Sequence, residues 1–156
     1  DIQTDKNVVV FEIGDLLFVS KTLEGDFPNY EAVIPKNEVT KFELSSIDLL
    51  SSLRSTSIFS SGTNAVRLFI DIDGKRLKLL SDNVELGSNE IFIPITNGIG
   101  VNLEIGFNAK YLLDFLNNVS CEKLLIKCSG QNTPALFIPL GIEDYLYVAV
   151  PLQPYW

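Results

Sequence analysis

Two stretches of the chain share one pattern of apolar and polar positions. KFELSSIDLLSSL (Lys41–Leu53) aligns with EIGFNAKYLLDFL (Glu104–Leu116) at an offset of 63 residues, 104 − 41. Each stretch begins with alternating apolar residues, which is typical of a half-buried strand, and then changes to helical spacing. The change follows Ser45 in the first copy and Asn108 in the second, and both residue types favour an N-cap. We therefore expect a strand followed by a helix in each copy.

Three further strand-like runs follow each predicted helix. They are VRLFIDI, KRLKLLS and NEIFIPI in the first copy, and EKLLIKC, PALFIPL and DYLYVAV in the second. Asp73-Gly74, between the first two runs, favours a hairpin turn. The pattern predicts two βαβββ units, with helices at 45–56 and 108–118, related by an approximate two-fold. Together they would form an α+β domain with an antiparallel sheet on one side and both helices on the other.

The first 35 residues carry strand signals without a helical pattern. Asn7–Ile13 and Leu16–Leu23 predict a hairpin around Gly14-Asp15, and Tyr30–Pro35 predicts a short final strand. We interpret them as the last strands of a preceding domain whose first part is absent, which would leave apolar surface uncovered. The lack of methionine also favours a fragment. The predicted domains are 1–37, an incomplete domain, and 38–156, a complete one.

Composition and charge narrow the class of protein only partly. No apolar run approaches the ~18 residues that cross a bilayer, and no leader-like segment opens the chain, so we expect a soluble, cytoplasmic protein without membrane contact. The net charge is −8, whereas nucleic-acid binders are usually basic. An acidic protein can still surround DNA if its cations line one surface. An ordinary acidic domain explains the charge equally well.

The residues that carry most catalytic and metal chemistry are missing. The chain has no histidine and none of the glycine-rich phosphate-binding or nucleophile-elbow motifs. Asp71–Gly74 resembles part of a calcium loop but lacks the other ligands, and a hairpin turn explains it better. Cys121 and Cys128 flank one predicted strand, roughly 23 Å apart, so they are expected to be reduced thiols. We predict no catalysis, no metal and no cofactor, which leaves a binding surface.

Three segments together resemble one known family. They are GDLLFVSKTLEGDFPNYEAVIPKN (Gly14–Asn37), Glu104–Leu116 and DYLYVAVPL (Asp144–Leu152). They resemble the C-terminal part of the bacterial DNA polymerase III beta subunit, the ring-shaped sliding clamp. The resemblance runs along all 156 residues and covers only the later part of that family's chain. It implies the DNA clamp fold, with two βαβββ units per domain, antiparallel sheets outside and helices inside.

The resemblance also implies a function and partners. The full-length protein would form a homodimer ring around double-stranded DNA without reading its sequence. It would tether the polymerase III alpha subunit, and would dock the clamp loader and repair proteins through short linear motifs. Two alternatives are a stand-alone peptide-binding module without ring formation, and an enzyme subunit that borrows this fold. An enzyme would need a pocket with perturbed titratable groups, and the sequence shows no cluster to supply one.

Site residues follow from the resemblance position by position. The positions matched to peptide binding are Pro28, Val33, Asn108, Tyr111, Thr133, Ala135, Val148, Val150, Pro151 and Leu152. Arg54 and Lys110 would face DNA, and Ile58 and Phe59 would lie at the ring interface. The alternatives are that the valines and Ile58 are core residues, that Asn108 only caps a helix, and that the helix faces are merely solvated.

The chain departs from the family pattern around the expected groove. Asp26 and Ala32 stand where many members carry basic residues, and valine and leucine replace methionine in the ending VPLQPYW. Methionine adapts to varied ligands. Its loss therefore predicts a stiffer and more selective groove.

Overall fold

The computed structural model describes residues 1–27, 29–60, 64–83 and 87–153. The chain forms two compact units, Asp1–Tyr30 and Glu31–Trp156. The first unit is a three-stranded antiparallel sheet in the order β1-β2-β3, formed by Ile2–Asp5, Val8–Ile13 and Leu16–Lys21. The predicted hairpin between the second and third strands is confirmed. Its turn contains Gly14 at φ +61°, a conformation that favours glycine.

The first sheet has uncovered apolar residues, as the sequence predicts. Every residue of β3 is exposed. Leu16, Leu17, Phe18 and Val19 each leave more than half of their surface open to solvent. The first strand, β1, was not predicted, because Gln3, Thr4 and Asp5 do not give it an apolar face.

The predicted strand over Tyr30–Pro35 is wrong. Tyr30–Val33 forms one turn of 3-10 helix instead. The amide of Ile34 donates to the carbonyl of Glu31 at 3.4 Å, which closes a local turn. A strand needs a neighbouring edge to satisfy its backbone groups. None of the strands in the described residues pairs with this segment, so its hydrogen bonding is local.

The second unit contains two helices and nine strands among the residues that the structure describes. The first half comprises β4 (Thr40–Ser45), α1 (Ser46–Ser57), β5 (Ala65–Asp71), β6 (Arg76–Asn83), β7 (Gly87–Pro94) and β8 (Thr96–Ile99). The second half comprises β9 (Leu103–Asn108), α2 (Ala109–Asn118), β10 (Lys123–Cys128), β11 (Ala135–Pro139) and β12 (Tyr147–Ala149). A 3-10 turn, Ile58–Ser60, follows α1. The strand β8 was not predicted, since Thr96, Asn97 and Gly98 give it little strand signal.

The strands form two antiparallel sheets where the pattern predicted one. Their orders are β12-β11-β10-β4-β8 and β7-β6-β5-β9. Each half of the domain thus contributes its first strand to the sheet of the other half, since β4 pairs with β10 and β9 pairs with β5. This reciprocal exchange joins the halves into one fold. A hydrophobic pattern gives a strand's buried face but does not give its neighbour, which is why the second sheet was missed.

The exchange has the same register in both directions, which supports the predicted two-fold. Ser45 pairs with Lys123, the first residue of β10, and Asn108 pairs with Ala65, the first residue of β5. The first helical residues behave alike as well. The amide of Ser46 donates to the carbonyl of Glu122 at 3.0 Å, and that of Ala109 donates to the carbonyl of Asn64 at 2.7 Å.

The helices begin where the sequence places them and lie side by side. The Ser45 hydroxyl accepts from the Asp48 amide at 3.3 Å, and the Asn108 side chain accepts from the Lys110 amide at 3.0 Å. Both N-cap predictions are therefore confirmed. Across the helix pair, the Arg54 guanidinium donates to the Asn117 side chain at 2.7 Å. These two positions are separated by the repeat offset of 63, so they are equivalent and meet at the two-fold.

The core lies between the helices and the inner faces of both sheets. Buried positions alternate with mostly half-buried ones along β4, β5, β6 and β10, so each strand presents one face to the core. The helices contribute Leu49, Leu53, Leu112, Phe115 and Leu116, all buried. The α+β prediction is confirmed.

The Asp71–Gly74 segment forms the hairpin turn between β5 and β6. The Asp71 carboxylate accepts from the Gly74 amide at 2.8 Å and from the Arg76 guanidinium at 3.0 Å. These contacts, the Gly74 bond first, lower the pKa of Asp71 below its ordinary value. A Cβ at position 74 would lie 2.3 Å from the carboxylate, so a larger residue there would displace the Asp71 side chain from these contacts. The left-handed residue of the turn is Lys75, at φ +51°.

Candidate functional site

A pocket of about 200 Å³ lies between α2 and β12. Its lining is mainly apolar, and the edges of two tyrosines and one asparagine add polar groups. The lining residues are Phe107, Asn108, Tyr111, Leu112, Tyr147, Val148, Ala149 and Val150. Phe107 and Leu112 are buried, whereas Tyr111 is 61% and Val150 68% exposed. The pocket thus has a rigid floor and an accessible upper wall.

Tyr147 connects β12 with α2 behind the pocket. Its hydroxyl donates to the backbone carbonyl of Tyr111 at 3.2 Å. Its ring stacks on Phe115 with 4.5 Å between ring centroids and 9° between planes. Burial raises the pKa of the Tyr147 phenol, and the nearby Asp114, Tyr145 and Tyr111 act in the same direction. The phenol therefore remains a hydrogen-bond donor at neutral pH and holds the two elements together.

An aromatic group under the pocket fixes that connection. Phe137 packs edge-on against Phe107, with 5.8 Å between centroids, and against Phe115, with 6.1 Å. Such edge-to-face pairs add to the energy of burial alone. The wall formed by β12 is therefore anchored, although the strand has only three residues.

The Asn108 side chain caps α2 and also lines the pocket. Its side-chain oxygen caps the helix by accepting from Lys110. No other hydrogen bond of this side chain is found in the described part of the chain. Its amide nitrogen therefore retains two donors for a ligand in the pocket.

A second, more open pocket of about 400 Å³ lies near the start of β11. Its lining combines residues 32–37 with Ser129, Thr133 and Pro134. Ala135 pairs with Ala149, and this antiparallel register brings the start of β11 beside the end of β12. The two pockets therefore approach each other at the Val150 end of β12.

Comparison with known proteins identifies the family. Residues 31–153 match the model of the DNA polymerase III beta subunit, C-terminal domain. The chain belongs to this family. It is 31% identical over 150 residues to the beta sliding clamp of Synechococcus elongatus, covering 96% of this chain and 40% of that protein. The Escherichia coli beta sliding clamp is 29% identical over 154 residues, covering 97% of this chain and 41% of that clamp.

Solved clamp structures share the fold. The DNA polymerase III beta subunit of Pseudomonas aeruginosa superposes with a TM-score of 0.89 at 29% identity, covering 97% of this chain and 41% of that one. A sliding clamp from Bartonella birtlesii bound to griselimycin gives 0.89 at 32% identity, covering 97% and 40%. The chain spans about 40% of the length of the relatives it matches.

The structure divides the residues that the clamp-family resemblance assigns to peptide binding. Asn108, Tyr111, Val148 and Val150 line the α2–β12 pocket. Val33 and Thr133 line the second pocket. Pro151 and Leu152 are half-buried and line neither pocket, while the Leu152 amide donates to the carbonyl of Gly106 at 2.9 Å. Pro28 lies outside the described residues.

Ala135 does not contact either pocket. It is fully buried, because it lies on the inner face of β11 opposite Ala149. Ala135 is therefore a core residue, and its expected contact with a peptide is not supported. The sequence in turn missed four lining residues, Phe107, Leu112, Tyr147 and Ala149. Three of them, Phe107, Tyr147 and Ala149, alternate along their strands with the predicted residues Asn108, Val148 and Val150. This alternation was the signal in the sequence that could have identified them.

The expected DNA-facing residues lie on the helices. Arg54 and Lys110 are both exposed, and Arg54 is engaged with Asn117. The helices also carry Asp48 and Asp114, both exposed, so their formal charges cancel. This surface is therefore polar but carries no net charge.

The expected ring-interface residues lie at the end of α1. Ile58 is 65% exposed, whereas Phe59 is half-buried. Both belong to the 3-10 turn that contacts β7. Among the described strands, β7 is the edge of its sheet and has β6 as its one partner.

Other kinds of site find no support among residues 1–27, 29–60, 64–83 and 87–153. No group of three or more histidine, cysteine or acidic side chains there could hold a metal ion. Within the same residues, no helix is long and apolar enough to span a bilayer. Cys121 and Cys128 are free thiols, and burial raises the pKa of Cys128 to about 12.

Proposed function

We propose that the full-length protein is a sliding clamp, a non-catalytic processivity factor that acts in the cytoplasm. It would encircle duplex DNA and hold the replicative polymerase there. Residues 1–37 would be the end of its middle domain and 38–156 its C-terminal domain. The observation that carries this proposal is the anchored, apolar α2–β12 pocket within a chain of the clamp family.

The pocket suits a side chain of a partner peptide. Its volume of about 200 Å³ is below the ~300–1,000 Å³ common for sites of drug-sized ligands. Burying a leucine and a phenylalanine of a Gln/Leu/Phe-type motif would contribute roughly 1.5–3 kcal/mol each. Ordering a flexible peptide offsets part of this gain. We therefore expect micromolar or weaker affinity.

The partners of the pocket would be proteins that carry such linear motifs. We assign to this class the DNA polymerase III alpha subunit, the clamp loader and repair proteins. Val33 and Thr133 in the second pocket would receive the rest of the motif, since that pocket approaches Val150. Valine in place of a flexible methionine would make the site selective.

Duplex DNA would be held by enclosure more than by affinity. The helix surface has no net charge, so few phosphate contacts would form. Arg54 and Lys110 would supply those contacts. Serine hydroxyls on α1 would add water-bridged contacts that do not depend on DNA sequence.

Ring closure would use Ile58, Phe59 and the open edge of β7. An exposed isoleucine beside an unpaired strand edge is a surface that another strand and apolar group can cover. In the full-length protein, this edge would meet the first domain of a second copy and give a homodimer ring. A full-length protein that remains monomeric would instead favour the stand-alone peptide-binding module.

The test is titration of a labelled Gln-Leu-Ala-Leu-Phe peptide against the wild type and Val150→Asp. The variant places an unpaired carboxylate at the pocket, so affinity should fall at least about tenfold. Ile99→Asp is the matched control, because Ile99 is a similarly exposed aliphatic residue on β8. It should bind as the wild type does. Circular dichroism checks that both variants fold. Equal binding by folded Val150→Asp would refute the site.

A further inference from the structure

Beside the α2–β12 pocket lies a group of exposed aromatic and acidic side chains, Tyr111, Asp114 and Tyr145, which we name the acidic aromatic rim. Tyr111 and Asp114 are three residues apart on α2 and so lie on one face of the helix. Tyr145 reaches the same face from the connection before β12. Its ring stacks on Phe115 with 6.3 Å between centroids and 19° between planes.

The rim is held in place by the same contacts that hold the pocket. Phe115 stacks on Tyr145 and also on Tyr147, which lines the pocket. Tyr147 in turn donates to the backbone of Tyr111. The rim therefore has a fixed position next to the apolar floor, and a peptide that fills the pocket must pass near it.

The rim offers negative charge and aromatic faces without a cation of its own. The Asp114 carboxylate takes part in no ion pair among the described residues, although Lys110 lies one helical turn before it. Tyr111 and Tyr145 are 61% and 42% exposed. Asp114 also acts electrostatically on the phenol of Tyr147, which agrees with their proximity. Glu143 and Asp144, both exposed, precede Tyr145 and add to the negative potential.

We propose that the acidic aromatic rim binds a lysine or arginine side chain that flanks the apolar anchors of the docked peptide. This inference rests on the proposed function, because it assumes that a peptide occupies the pocket. A cation over a tyrosine face is attracted by the ring, and the Asp114 carboxylate adds an ion pair. Each exposed contact changes affinity by roughly two- to fivefold. Together they select basic over neutral or acidic flanks.

The experiment compares three peptides, Ac-X-Gln-Leu-Ala-Leu-Phe-X-amide, in which both X residues are Lys, Gln or Glu. Flanks at both ends make the result independent of the direction in which the peptide lies. At low ionic strength the Lys peptide should bind the wild type roughly fivefold or more tightly than the Gln peptide. The Glu peptide should bind most weakly. The Lys preference should shrink at high salt, because the contacts are exposed.

Two neutralising variants distinguish the effect of the rim on peptide binding from the effect of the chain's overall negative charge. Asp114→Asn should reduce the Lys preference to roughly half or less, and Tyr145→Leu should act in the same direction. Asp73→Asn removes the same charge in the β5–β6 turn and should leave the preference unchanged. That turn begins at Asp71, six residues along β5 from Ala65, which pairs with Asn108, so it lies roughly 20 Å from Asn108.

The outcomes distinguish this inference from the proposed function. If none of the three peptides binds the wild type, the proposed function fails and the inference with it. If all three bind equally, or if the Glu peptide binds best, only the inference is overturned. A Lys preference that Asp114→Asn and Asp73→Asn reduce alike would also overturn it, since net charge would then be the cause.

Discussion

The two halves of the second unit share a scaffold and differ in what it carries. The first strand and helix of each half coincide at the offset of 63, and both helices start at a capped residue. The third strand after each helix, β7 in the first half and β12 in the second, differs in length. The eight residues of β7 pair along their whole length with β6, whereas β12 has three residues and three pairs with β11. The α2–β12 pocket lies beside the short strand.

The helices show the same division residue by residue. Leu49 and Leu53 in α1 correspond to Leu112 and Leu116 in α2, and all four are buried. Two of the positions that differ matter for the pocket. Asp48 corresponds to Tyr111, and Ser52 corresponds to Phe115. The leucines maintain the shared core, while the substituted positions supply the ring that supports Tyr147 and the upper wall of the pocket. The same scaffold can thus carry a pocket in one half and none in the other, because the core leucines are kept while the other helix positions differ.

The largest expected effect tests the shared core. Leu49→Ala and Leu112→Ala should each lower the free energy of unfolding by about 2–5 kcal/mol, because both side chains are fully buried. Urea denaturation measures this change. Only Leu112 lines the pocket, so folded Leu112→Ala should also weaken peptide binding, whereas Leu49→Ala should not. Equal effects on binding would mean that the pocket depends on global stability.

The next prediction tests one position at which the two helices differ, Tyr111 in α2 and Asp48 in α1. Tyr111→Ala should weaken peptide binding by roughly threefold to thirtyfold, because an exposed aromatic wall is removed. The fold should persist, since Tyr147 bonds to the backbone of residue 111 and not to its side chain. Asp48→Ala is the matched control on α1 and should leave affinity unchanged. Fluorescence anisotropy with a labelled peptide and circular dichroism give both readouts.

The caps provide a smaller and more selective test. Ser45→Ala and Asn108→Ala should each lower the free energy of unfolding by about 1 kcal/mol, since each removes an N-cap. Asn108→Ser keeps a capping oxygen but removes the side-chain amide donors of a residue that lines the pocket. It should restore most of the stability without restoring peptide affinity. If Asn108→Ser recovers both, the side chain acts only as a cap.

The smallest effect concerns the two places where the halves exchange strands. At one exchange Lys41 lies opposite Lys127, and Glu38 bridges them at 2.7 and 2.8 Å. At the other, the residue equivalent to Lys41 is Glu104, which lies opposite Phe69. Like charges directly opposite destabilise a sheet, so Glu38 is needed at the first exchange only.

The pKa of Glu38 gives this difference a pH dependence. Hydrogen bonds from Lys127 and then Lys41 lower it from 4.5 to about 2. A lowered pKa means that the ionised carboxylate stabilises the fold fully above pH 4.5 and that this contribution is lost as the pH falls toward 2. Glu38→Gln should flatten the change in the urea midpoint across that window. The effect should be small and salt-sensitive because the group is exposed.

The sequence predicted what depends on local pattern and missed what depends on neighbours. Both helices, their caps and eight strands of the repeats follow from periodicity and from residue types such as Ser45 and Asn108. The second sheet and β8 do not, because pairing partners are chosen by tertiary packing. The site shows the same limit. Asn108, Tyr111, Val148 and Val150 came from resemblance, but only the packed structure shows that Ala135 is buried and that Tyr147 supports the wall.

The Arg54–Asn117 hydrogen bond shows what an approximate two-fold requires of the residues that lie on it. A residue at a two-fold axis meets its own counterpart, so two identical copies would place like against like. Two arginines there would repel each other, and neither could accept a hydrogen bond. Identical side chains can therefore meet at this seam only where the residue both donates and accepts, as asparagine does. An arginine in one copy requires an acceptor in the other, and Asn117 supplies it for Arg54.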